Sequence, residues 1–147
     1  MRSMDASGIA WVGVAAATVV AFVANFLWFG PRTLFPVWWR ALGNADLPPG
    51  ADGTSMAVTF GLTTVAVVVQ AVAMTFVLRG AALLAGVADV SIGHGALVGA
   101  VVGVAIAATT SLGHRLFSGQ GLVVWAIEVG GDVLGLTLMG AVLAAWY

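Results

Sequence analysis

The chain has 147 residues, of which 61% are hydrophobic and 7% charged, and its mean hydropathy is +1.09. A water-soluble domain carries about a quarter charged residues, so most of this surface must face hydrocarbon, and the length suits one membrane-embedded domain spanning 1–147. A net charge of -1 without a single lysine supplies no basic stripe for phosphates, which excludes nucleic acid as a partner, and the lack of cysteine excludes disulfides and thiolate chemistry.

Four apolar segments follow in order, at about 9–28, 55–78, 92–112 and 122–146. Each holds roughly 20 or more residues, enough at 1.5 Å per residue to cross ~30 Å of hydrocarbon. An isolated span must satisfy its own backbone hydrogen bonds, and no barrel-like alternation is present, so each is predicted to be a helix. The fold class expected is an all-α integral membrane bundle of four transmembrane helices. The first segment stays apolar well past its Ala15-Ala16-Ala17 run, which favours a retained span over a cleaved signal peptide.

After the first span, Pro36 is placed to start a short interfacial helix over Val37–Leu42. Trp28, Trp38 and Trp39 read as headgroup-layer anchors, with Arg40 beside them. The segment Asn44 to Gly53 carries two prolines and reads as an exposed loop. Arg2 and Arg79 fall on one side of the membrane, and Arg32, Arg40 and Arg115 on the other. That asymmetry leans toward a cytoplasmic position for the first and third connections.

At 100° per residue each span shows a small or polar stripe. The stripes are Thr18, Ala21 and Asn25; Thr59, Thr63, Ala66, Gln70 and Ala73; Gly95, Gly99 and Gly103, continuing to Thr110 and His114; and Glu128, Gly131, Asp132 and Gly135. Lipid offers polar groups nothing, so these faces are expected to turn inward and meet. Gly95, Gly99 and Gly103 remove side chains at three successive turns and invite a close helix partner. That partner is expected to be the fourth span, through Gly131 and Gly135, with the third span of a second copy as the alternative.

Glu128 and Asp132 are the main chemical clue. A carboxylate near the bilayer centre costs roughly 2.5–3.5 kcal/mol, and these two share one face of the fourth span. Three readings stand open: a proton or small-cation site; a structural pair neutralised by Arg115 or Arg40 reaching down; or, with His114, a hard-metal site, for which no ligand spacing exists. Without a cation the two acids are expected to share one proton. Asn25, Gln70, Thr110 and His114 are the polar groups expected around them, whereas His94 belongs at the opposite interface. No nucleophile triad, phosphate loop or metal motif is present, so no enzyme, cofactor or resident metal is expected.

FLWFGPRTLFPVWWRALG (26–43) and MGAVLAAW (139–146) resemble a bacterial family of small four-span proteins catalogued as domain of unknown function 1761. Its members are similar in an aromatic-Gly-Pro stretch after span one and in an acidic residue near the position of Glu128, where aspartate is usual. Phe29 stands where tyrosine is common, and Asp132 has no counterpart in that pattern. The resemblance implies architecture and no established activity. The resulting expectation is a bacterial cytoplasmic-membrane protein, a homo-oligomer or a subunit of a membrane complex. Its acid pair serves assembly or, in the alternative reading, passage of a proton or small cation.

Overall fold

Leucine, valine and alanine runs without interior proline favour helix wherever the backbone must satisfy itself in hydrocarbon. The computed structural model describes residues 9–44 and 55–146. Arg2 and nearly all of the predicted Asn44–Gly53 loop lie outside the described residues. Five helices follow: α1 (Trp11–Trp28), α2 (Phe35–Ala41), α3 (Met56–Ala85), α4 (Ile92–Phe117) and α5 (Gly121–Ala144). There is no strand among the described residues. Apart from α2, each helix is long and apolar enough to cross a membrane.

The ends have local causes. Gly30-Pro31 follows α1 and cannot continue it, and Pro36 sits in the first turn of α2, as its sequence requires. Ser91 caps α4, its Oγ accepting from the His94 backbone N–H at 3.2 Å and lying 2.9 Å from His94 Nδ1. The third helix corrects the sequence reading: it runs to Ala85, not to Leu78. Arg79 does not stop it, because a long cationic side chain can be carried along a helix toward the interface. The stop is Gly86, left-handed at φ 65°, whose N–H returns to the Ala82 and Leu83 carbonyls. Likewise α4 continues five residues beyond the predicted Leu112, to Phe117.

The last helix is the centre of the bundle. Its most extensive packing is against α4, then against α1, whereas α3 and α4 touch each other sparingly. On the α4 side, a Cβ added at Gly95 would run into the Gly140 carbonyl oxygen, one at Gly99 into that of Leu136, and one at Gly103 would lie 2.9 Å from Val133 Cα. The three glycines therefore pack within the chain, backbone against backbone. Their partners, however, are Gly140, Leu136 and Val133. Gly131 and Gly135 face α1 instead: a Cβ at either would come 3.0 Å from the Asn25 amide. The reason is angular. Gly131 and Gly135 lie on a different side of α5 from Leu136, Gly140 and Ala144, so one helix offers two smooth faces to two neighbours. At the far end, Gly13 accommodates the Trp146 ring. The buried core joins Val14, Ala17 and Ala21 to Ala71, Met74 and Leu78, and to Leu136, Met139 and Leu143.

Helix α3 is bonded to this core through one half only. Its buried residues are Ala71, Met74, Thr75, Leu78 and Ala82, while residues 55–66 are exposed throughout. The first half of α3 thus buries none of its residues against the bundle.

Candidate functional site

The two acids of α5 have different surroundings. Glu128 is enclosed: its side chain is 18% exposed, and Arg115 Nε lies 2.6 Å from Oε2. Trp38 Nε1 donates to Oε1 at 3.0 Å. Arg115 is oriented in turn by Nη1 donating to Gln120 Oε1 at 2.7 Å. Of the two arginines proposed as partners, Arg115 takes the role. Arg40 does not; its Nε donates to the Pro36 carbonyl at 3.0 Å within α2. The counter-ion of Glu128 is therefore Arg115.

How Arg115 comes to face α5 is set by the backbone. Residues Gly103–Ala108 form a π-helical segment inside α4. Such a segment accommodates one extra residue in the turn and shifts the phase of everything after it. In an uninterrupted α-helix, Arg115 would sit about 120° from Gly103 and His114 only about 20° away. The inserted residue brings Arg115 to about 20° from Gly103 and turns His114 to about 80° on the other side. Buried positions accordingly run Gly95, Gly99, Gly103 and then Ala108, and Ser111 and Arg115 are half-buried beyond it.

This corrects two expectations. Thr110 and His114 do not join the polar core; both are exposed, and His114 Nδ1 lies 3.1 Å from the Thr110 carbonyl of its own helix. The tryptophan on α5 meets the widened turn, Trp125 Nε1 donating to the Ala108 carbonyl at 3.0 Å.

Two of the expected headgroup anchors also turn inward. Trp38 holds Glu128, and Trp28 Nε1 donates to the Ile127 carbonyl at 2.8 Å, its ring lying over Gly130 and Gly131. Trp39 stacks on Phe35 at 5.6 Å. Replacing Trp38 by phenylalanine keeps the ring and removes one partner of a half-buried carboxylate. The expected loss is about 1–2 kcal/mol, read from unfolding in a neutral detergent. An unchanged midpoint would deny Trp38 that role.

Asp132, one turn deeper, lines a cavity of about 350 Å³. From α1 come Ala21, Phe22, Asn25 and Phe29; from α3, Thr63, Ala66, Val67 and Gln70; from α4, Ala107 alone; and from α5, Gly135, Leu136 and Met139. Asn25 and Gln70, predicted as inward polar groups, are therefore brought together with Asp132, and Thr63 joins them. Among the described residues Asp132 has no hydrogen-bond or ion-pair partner, though the charges of Glu128 and Arg115 both act on it. The described residues contain no group of three or more His, Asp or Glu side chains able to hold a metal ion. One α4 residue lines the cavity, and three of its α3 residues, Thr63, Ala66 and Gln70, are exposed.

Gly140 and Trp125 were not singled out from the sequence. Gly140-x-x-x-Ala144 repeats the small-residue spacing of Gly95 and Gly99 and was the available signal.

Four long apolar helices make this a helical membrane protein of the four-span class. The chain belongs to the family described as Protein of unknown function (DUF1761), whose profile matches residues 12–144. No curated protein and no solved structure matches the chain.

Proposed function

We propose that the protein is a non-enzymatic membrane protein that binds a monocation larger than a proton at Asp132, and that Glu128 and Arg115 form a fixed structural clamp beside that site. The observation that carries this reading is a carboxyl group open to a 350 Å³ cavity, without a hydrogen-bond or ion-pair partner among the described residues. An ionised carboxylate in that position is expensive in hydrocarbon unless a cation joins it. The structural reading belongs to Glu128, whose charge is already met by Arg115 at 2.6 Å. The proposed location is the cytoplasmic membrane of a bacterium, with the Arg40 and Arg115 end of the bundle facing the cytoplasm.

The test compares wild type, Asp132→Asn and Glu128→Gln in neutral detergent as sodium, ammonium or n-butylammonium chloride is raised. Ligand bound only by the folded state raises the unfolding temperature saturably. At least one of the three salts is expected to do so for wild type and Glu128→Gln and to lose that effect in Asp132→Asn. Identical responses of wild type and Asp132→Asn to all three salts would overturn the reading.

A further inference from the structure

We infer that the occupant of the Asp132 cavity is an organic primary ammonium ion with a short apolar body, an inference that rests on the monocation reading above. Three features of the cavity carry it. The first is size: about 350 Å³ is roughly ten times the share of one water molecule, far more than a bare ion fills. Inorganic cations need several oxygen ligands at close range, whereas the polar side chains here, Asp132, Asn25, Gln70 and Thr63, are spread over three helices around a cavity of that size.

The second feature is the direction of the hydrogen bonds. Thr63 Oγ1 donates its hydrogen to the Thr59 carbonyl at 2.8 Å, and Asn25 Nδ2 donates to the Ala21 carbonyl at 3.2 Å. Thr63 keeps only acceptor capacity, the Asp132 carboxylate has acceptors alone, and the Asn25 and Gln70 amides each add an acceptor oxygen beside their remaining N–H groups. A wall rich in acceptors suits a ligand that only donates, and a primary ammonium carries three donors and no acceptor. The third feature is the apolar remainder. Phe22 and Phe29 bring two aromatic rings to the lining, and Val67, Leu136 and Met139 supply a surface for carbon. The lining residues Thr63, Ala66, Gln70 and Asp132 are exposed within the spans, so an amphipathic amine dissolved in the membrane reaches the cavity sideways, body and charge together.

Calorimetric titration of the full chain in neutral detergent tests this with n-butylammonium, sodium and the neutral analogue n-butanol. Saturable binding of n-butylammonium is expected, with sodium and n-butanol weaker by tenfold or more. Asp132→Asn is expected to weaken n-butylammonium about a hundredfold, and Phe22→Leu about three- to tenfold. Sodium binding more tightly than n-butylammonium, with the effect lost in Asp132→Asn, overturns the amine assignment and leaves the monocation reading standing. Failure of both cations to bind overturns both. Equal affinity for n-butanol and n-butylammonium, or unchanged n-butylammonium affinity in both variants, also contradicts the amine assignment.

Discussion

Replacing Gly99 by leucine is expected to separate α4 from α5 and to cost about 3 kcal/mol or more of stability, among the largest losses from any single substitution in this chain. Even the first carbon of the new side chain would fall on the Leu136 carbonyl oxygen and within 3.0 Å of Thr137 Cα. Those are backbone atoms of the central helix, which cannot rotate aside as a flexible side chain can. Without a hydrophobic driving force between helices in lipid, close backbone approach is the chief source of attraction lost. Gly113→Ala is the control: its added Cβ meets nothing within 4 Å, and the change is expected to leave stability unchanged or raise it by up to about 1 kcal/mol through helix propensity. Denaturant titration in mixed micelles measures both. Equal stability of the two variants would remove the α4–α5 seam from the account.

Exchanging the neighbours His114 and Arg115 keeps composition, charge and helix length, yet rotates the guanidinium by about 100° away from Glu128. The expected cost is about 1–3 kcal/mol, below that of a fully buried pair because the Arg115 side chain is 37% exposed. Adding Glu128→Gln to the exchanged protein should recover most of the loss, since no unpaired charge then remains. In the parent protein, Glu128→Gln itself should destabilise. This non-additivity is the signature of a direct pair. If the exchange leaves stability unchanged, the π-helical phase of α4 is contradicted.

The spans were legible because hydrocarbon thickness and backbone satisfaction leave few alternatives for 20-residue apolar runs. Legible too was the Gly95, Gly99 and Gly103 stripe, and the helical repeat also gathers Asn25, Gln70 and Asp132 on the wall of one cavity, although Gln70 and Asp132 remain exposed. What escaped was the single extra residue accommodated at Gly103–Ala108. The sequence GVAIAA contains no proline and no polar residue to mark a widened turn, so ordinary periodicity carried the stripe on to Thr110 and His114. That one-residue phase error also obscured which residue of α4 meets Glu128. The roles of Trp28 and Trp38 were hidden for another reason: a tryptophan at a span end fits the headgroup layer and a neighbouring helix equally well by composition. Only the position of α2 against α5 decides for Trp38. The extension of α3 shows a third limit, in which a charge within a helix was read as its end while the true terminator was a left-handed glycine.

The central claim is that two acids one turn apart have separate tasks, Glu128 clamped and Asp132 open. A membrane-soluble carbodiimide measures this most directly, because it forms a stable N-acylurea with an accessible carboxyl group in apolar surroundings and spares one held in an ion pair. After brief treatment of the protein in proteoliposomes, peptide mass spectrometry is expected to find the adduct on Asp132 and at least tenfold less on Glu128. Equal modification of both acids, or an adduct on Glu128 with none on Asp132, would contradict the account.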